Sequence, residues 1–225
     1  MTIAQPSSAV GRRSGSPQIR EILDRARDGA RLDEADAIAL IECPSDDLPG
    51  LLAAAGALRD RVKGRVVTYS RKVFLPVTNL CRDRCTYCTF RKDPGEPGAW
   101  TMTLAEIAQW SRRGRALGCR EALMCLGDKP ELAFKEYRET LARLGGSNTI
   151  DYVAQACAAA LDEGLLPHTN AGIMSRDEMM MLRPLNVSMG LMLENVSTRL
   201  RGRGQVHQWA PDKDPAVRMR MIAEA

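Results

Sequence analysis

Histidine is almost missing from this chain: among 225 residues only His168 and His207 occur. A structural zinc site built from two separated Cys/His pairs therefore has little to draw on. Aromatic residues make up 4%, too few for a surface that stacks nucleic-acid bases. Long apolar runs are absent too, since nothing approaches the ~18 residues of a membrane span, and no membrane partner is expected. The opening stretch, MTIAQPSSAVGRRSGSPQIR, has arginines but no apolar segment behind them, which argues against a secretory signal. Residues 1–16 are expected to be a disordered arm, and the protein to be cytoplasmic. Charge is not one-sided: 32 basic and 28 acidic residues leave +4, with short basic clusters at RDRVKGR (59–65) and RLRGR (199–203). These read as solvated faces with at most an anion contact, and no nucleic-acid partner is expected.

What is present is cysteine, unevenly placed. Seven is an odd number, and three of the seven fall within CRDRCTYC, residues 81–88. A disulfide framework fits this poorly and a reducing compartment fits it well. A chain of this length buries a core without metal or disulfide support, so a metal site here would serve chemistry rather than folding.

The hydrophobic pattern places that segment. Helices are expected at about 17–29, 33–42 and 47–62, giving a helical segment over 17–65. From residue 66, VVTYSRKVFLPVT is β-branched and aromatic and reads as one or two strands. The cysteines follow directly. Beyond the loop DPGEPG (93–98), Thr103 and Glu106 predict a capping box and Met102 with Ile107 a hydrophobic staple. Leu104, Ile107, Trp110, Gly114 and Leu117 would form the buried face of that helix, stopped by Gly118. EALMCLG (121–127) has strand length, and helices are expected over 131–145 and 149–163.

A third strand is expected over 165–170, and a helix capped by Ser175 and Glu178 with Met174 and Met179 as staple. A fourth strand, VSMGLMLE, spans 187–194, and a last helix, capped by Asp214 and started by Pro215, would bury Val217, Met221 and Ile222. Four strand–helix repeats specify an α/β fold with a parallel sheet over 66–225. Four units do not close an eight-stranded barrel, and the Gly-rich turn that opens a doubly wound sheet is missing. A partial barrel or a fragment is expected.

The spacing C-x3-C-x2-C lets Cys81, Cys85 and Cys88 point inward from one loop at the C-terminal end of the first strand, where parallel barrels place their chemistry. A closed zinc site needs a fourth ligand. Three thiolates suit a 4Fe-4S cube better, holding three irons and leaving the fourth open to an outside ligand. Zinc, or an incidental grouping, is the alternative. Cys43, Cys119, Cys125 and Cys157 read as small buried apolar side chains.

With Tyr87 just before its last cysteine, this stretch resembles the signature of radical S-adenosylmethionine (radical SAM) enzymes. That resemblance implies a partial (β/α)6 TIM-like barrel, here cut off after about four βα units. It also implies a 4Fe-4S cluster whose open iron is chelated by SAM, and reductive cleavage of SAM to a 5'-deoxyadenosyl radical. Further stretches, YCTFR, LGDKPE and PDKDPAVR among them, are similar to the deazaflavin-forming branch, the ring-closing part of 7,8-didemethyl-8-hydroxy-5-deazariboflavin (FO) synthase. For that branch the substrate is an adduct of tyrosine and ribitylaminouracil, closed to FO with loss of ammonia. The implied partners are a second radical SAM subunit or fused domain and an electron donor such as flavodoxin or ferredoxin. A menaquinone- or biotin-pathway relative, or a non-catalytic metal-binding module, remains open at this point.

The resemblance also assigns the SAM contacts. Gly127 and Asp128 stand where the family has a Gly-Gly-Glu-like turn for the methionine amine, with Asp in place of the usual Glu and Glu131 as a possible substitute. Glu194, at the end of the fourth strand, would take the ribose hydroxyls. The backbone at Tyr87 would read the adenine edge while its ring shields the cluster. His168 and Ser188 are weaker candidates on the same rim, and GDKPE read simply as a turn is the competing view.

Overall fold

In the computed structural model, which describes residues 16–225, the chain divides into two units between Thr68 and Tyr69. The expected disordered arm falls, apart from Ser16, outside the described residues. The first unit holds helices α1 (Pro17–Arg27), α2 (Glu34–Ile41) and α3 (Leu48–Lys63). Pro17 opens α1 where a missing N–H does no harm, and Ile19, Ile22, Leu23 and Ala26 fall on one buried face. Its core is small, centred on Ile19, Leu23 and Ala54, with Cys43 packed half-buried at its margin.

The second unit contains four parallel strands in sequence order: β1 (Lys72–Pro76), β2 (Glu121–Cys125), β3 (Leu166–Asn170) and β4 (Ser188–Met189). Helices α4 (Leu104–Ala116), α5 (Lys135–Leu144), α6 (Thr149–Asp162), α7 (Arg176–Leu182) and α8 (Pro215–Glu224) complete it. Register puts Leu75, Met124 and Thr169 side by side on the buried, helix-covered face. The alternate residues Pro76, Cys125 and Asn170 line up on the other face at the C-terminal ends of their strands. The capping boxes at Thr103–Glu106 and Ser175–Glu178 both form. Among the described residues no helix is long and apolar enough to cross a membrane.

Several local expectations are corrected. The strand read from residue 66 begins only at Lys72, because β2, its partner, begins at Glu121 and the first ladder contact is Arg120 N–H to Arg71 O, 2.9 Å. Val66, Val67 and Tyr69 are at least 77% exposed: β propensity without a partner strand makes no strand. β4 stops at Met189 for the same reason, and 190–194 is irregular. The helix expected over 131–145 is a 3-10 turn at Pro130–Leu132 followed by α5, broken at Phe134 in extended conformation.

On α4 the buried face is Ile107, Ser111 and Gly114, while Trp110 turns outward against Trp100 and Leu117 is exposed. A Cβ on Gly114 would come 2.8 Å from Val73 Cβ, so the glycine lets α4 lie on β1. On α8, Pro215, Arg218 and Met221 are buried and Ile222 is exposed, so the inward face is rotated from the one expected.

Candidate functional site

The loop that follows β1 is fixed before it reaches the cysteines. The Thr78 hydroxyl lies 3.0 Å from that of Thr101 and accepts the Leu80 N–H at 3.2 Å. The Asn79 amide donates to Gly98 O at 2.7 Å and accepts from Trp100 N–H at 2.8 Å. Cys81, Cys85 and Cys88 then line one cavity of about 370 Å³ at the C-terminal ends of the strands, with Pro76, Cys125 and Asn170 on its floor.

The turn after β2 seals against this loop. A Cβ on Gly127 would sit 2.0 Å from Leu80 O and 2.6 Å from Cys81 Cβ, so only glycine fits. Gly127 N–H donates to Thr78 O at 3.2 Å, Arg82 N–H to Asp128 O at 3.1 Å, and Asp128 N–H to Cys81 Sγ at 3.1 Å. Burial pushes the Cys81 thiol up to about 12. A metal would have to displace its proton, and the Asp128 N–H is placed to favour the resulting thiolate.

Asp83, Asp128 and Asp212, all buried, bring carboxylate oxygens within 4.8 Å of one another. Most of their hydrogen-bonding capacity is taken. Asp128 accepts from Ile173 N–H at 3.1 and 3.3 Å and from Arg218 Nη2 at 3.3 Å. Asp212 is paired with Arg82, and Asp83 Oδ1 accepts Asp212 N–H at 3.0 Å. Burial, then repulsion from Asp212 and Asp83, raises the Asp128 carboxyl to about 7. Asp83 Oδ2 has no partner. This set reads as a brace between the cysteine loop and residues 211–218.

The expected site residues divide. Tyr87, Gly127, Asp128 and Glu194 line the same cavity as the three cysteines. Glu194 adopts a left-handed backbone, φ 63°, and pairs with Lys213 at 2.7 Å. Glu131 lies elsewhere, bound to Thr149 through its N–H at 3.3 Å and its hydroxyl. His168 Nδ1 and Ser188 Oγ share a 2.6 Å hydrogen bond, and neither lines the cavity. Cys119 and Cys157 are buried as expected, but Cys125 faces the cavity. The Tyr87 ring is 52% exposed, and its hydroxyl reaches His207 Nε2 at 2.8 Å.

Sequence reasoning missed Asp83, His207, Asp212, Lys213 and Arg218. The last four lie about 120 to 140 residues from the cysteines, so no short-range spacing could join them. Asp212, Lys213 and Arg218 fall within PDKDPAVR, the stretch noted above for its similarity, while nothing in the sequence marked Asp83 or His207 for the site.

Cys81, Cys85 and Cys88 bring three thiols from one eight-residue loop to one cavity, the number that holds three irons of a 4Fe-4S cube and leaves the fourth open. Cys81, Cys85 and Cys88 therefore fit an iron–sulfur cluster, and the cavity above them leaves room for an organic ligand.

Comparison with known proteins agrees with that chemistry. The model of the Radical SAM superfamily matches residues 75–225. FO synthase of Mycobacterium tuberculosis is 43% identical over 238 residues, an alignment covering 99% of this chain and 28% of that protein. 7,8-Didemethyl-8-hydroxy-5-deazariboflavin synthase of Methanosarcina barkeri is 48% identical over 159 residues, covering 71% of this chain and 47% of that protein. The chain thus spans less than half the length of these relatives. Among solved structures, the FeFe-hydrogenase maturase HydG of Carboxydothermus hydrogenoformans shares the fold, with a TM-score of 0.72 at 20% identity, over 92% of this chain and 45% of that one. Methylornithine synthase (PylB) does so with a TM-score of 0.63 at 19% identity, over 91% of this chain and 56% of that one. With its α/β partial barrel and its three-cysteine loop, the chain belongs to the radical SAM superfamily.

Proposed function

We propose that this chain carries the cluster- and SAM-binding site of an FO-forming enzyme of deazaflavin biosynthesis. The observation that carries this reading is the convergence of Cys81, Cys85 and Cys88 on one cavity, in a chain 43–48% identical to proteins that make FO. When bound, the cluster and SAM supply a 5'-deoxyadenosyl radical, which is needed because the carbon to be activated carries no acidic proton. The protein's share is to bind, orient and shield.

In this reading Cys81, Cys85 and Cys88 hold three irons and leave one for the SAM amino and carboxylate groups. The Gly127–Asp128 backbone, locked to the cysteine loop, is the edge along which the methionine part lies. Asp128, held in place by Ile173 N–H and Arg218, offers its carboxyl to the amine, whose positive charge favours the ionised form. Glu194, with Lys213 behind it, takes the ribose hydroxyls, and the Tyr87 backbone takes the adenine edge. The substrate is the tyrosine–ribitylaminouracil adduct, and the reaction is ring closure with release of ammonia. A second radical SAM subunit or fused domain makes the adduct, an electron carrier such as flavodoxin or ferredoxin delivers the electron, and the setting is cytoplasmic.

Anaerobically reconstituted protein given reductant, SAM and the adduct is expected to release 5'-deoxyadenosine and fluorescent FO. Release of 5'-deoxyadenosine without FO would remove the adduct as substrate and leave only the superfamily chemistry.

A further inference from the structure

The floor of the cavity, formed by Pro76, Cys125 and Asn170, carries none of the residues assigned to the cluster or to SAM. Among the uncharged polar side chains that line the cavity, Thr78 and Asn79 spend their hydrogen bonds on their own loop and its neighbour. The Tyr87 hydroxyl is engaged by His207 Nε2 at 2.8 Å. The charged side chains are paired as well: Arg91 with Asp93, Glu194 with Lys213, and Arg218 with Asp128. Asn170 differs from all of these. It ends β3 level with Cys125 and faces the cavity, and among the described residues its side-chain amide has no hydrogen-bond partner.

The strand that carries this amide is held on both sides. Cys125 pairs with Asn170 across the β2–β3 ladder, and Gly190 N–H donates to the carbonyl of the preceding Thr169 at 2.9 Å. The Thr169 hydroxyl, on the buried face, donates to Asn186 Oδ1 at 2.7 Å. A polar group on so fixed a strand is held in one place. The cavity also has aromatic walls. Phe74 and Phe90 line it with ring centroids 6.5 Å apart, and they are 43% and 70% exposed. Rings left open in a cavity gain burial by taking a flat ligand against them.

A carboxamide presents an acceptor and a donor side by side, the complement of a heterocycle edge that carries a donor next to an acceptor. Two ligands of the proposed reaction have such an edge: the adenine of SAM, and the uracil part of the adduct, whose ring N–H stands between two carbonyls. Adenine already has its place at the Tyr87 backbone. We propose that Asn170 is a specificity-determining residue that reads the uracil edge of the adduct, its amide accepting from the ring N–H and donating to the adjacent carbonyl. The proposal deepens the reading of this chain as FO-forming and rests on it. A site that bonds a polar edge rejects an analogue lacking it, because the site's own amide is then left unpaired.

The test is equilibrium binding of two probes to the anaerobically reconstituted chain, with SAM present and no reductant. The probes are the adduct and the adduct methylated on the ring nitrogen between its carbonyls. The parent should bind the methylated compound about tenfold more weakly, the discrimination expected of one bidentate pair. Asn170→Leu, of similar size, should bind the adduct about tenfold more weakly than the parent and no longer distinguish the two probes. Asn170→Asp, which keeps the shape but loses the donor, should weaken adduct binding severalfold. A parent that binds both probes equally would overturn the proposal. So would variants that bind both more weakly yet keep the parent's discrimination, as a merely structural residue would give. A loss of affinity for SAM in place of the adduct would assign Asn170 to the adenine edge and overturn it too. A parent that binds neither probe would instead overturn the adduct as substrate, the reading on which the proposal stands.

Discussion

Behind the sheet, Leu75, Ile107, Ala122, Met124, Tyr152 and Val153 are wholly buried and mostly apolar; at the rim above the strands, the buried side chains include Asp83, Asp128, Asp212 and Arg218. The back is what a core of this size calls for, hydrocarbon removed from water at about 25 cal/mol per Å². The rim works against stability, because a buried charge costs several kcal/mol unless it is well paired. It also holds both non-glycine residues with positive φ among the described residues, Lys129 and Glu194. Charge and strain concentrate where a fold performs chemistry. The difference separates an apolar back, which carries stability, from a charged rim at the C-terminal ends of the same strands, where the proposed site lies.

That division can be broken by paired substitutions. Leu75→Ala empties a fully buried position on the back and should cost about 2–5 kcal/mol in denaturant unfolding. Iron bound per folded chain should stay the same. Gly127→Ala puts a methyl 2.0 Å from Leu80 O and forces the two rim loops apart. Reconstituted iron content should fall at least severalfold, measured per folded chain. If Leu75→Ala disarms the site while Gly127→Ala spares it, the two sides are not separate.

A smaller effect sharpens the picture on the back. At the start of α4 the Thr103 N–H holds the Glu106 carboxylate below the usual range, against a smaller opposing effect of burial. A group whose folded pKa is depressed stabilises above its unfolded value, near ~4.3, and loses that contribution as pH falls through the folded pKa. Glu106→Gln should therefore cost about 0.3–1 kcal/mol at neutral pH. The gap from the parent should close on acidification, as read by unfolding at a series of pH values. A constant gap would mean that the charge contributes nothing to the cap.

The features legible in the sequence share one property: they are local. Both capping boxes lie within four residues, the alternation of strands and helices repeats over tens, and the cysteine loop spans eight. The features that were not legible depend on distant partners. Strand ends at Lys72 and Met189 are set by where the neighbouring strand begins and stops. The inward face of α4 is set by Val73 rather than by its own apolar pattern, so Trp110 turns outward. In the site, the cysteines and the Gly127–Asp128 turn could be read from motifs, whereas His207, Asp212 and Arg218 are joined to them only by folding.

The central claim is that three cysteines hold one iron–sulfur cluster with a position left for SAM. Electron paramagnetic resonance of the reduced, anaerobically reconstituted chain, recorded with and without SAM, tests it most directly. A cluster signal whose shape changes on adding SAM, and which is lost in Cys81→Ala, Cys85→Ala and Cys88→Ala, is the predicted result. Bound zinc in place of iron, or a cluster signal indifferent to SAM, would contradict it.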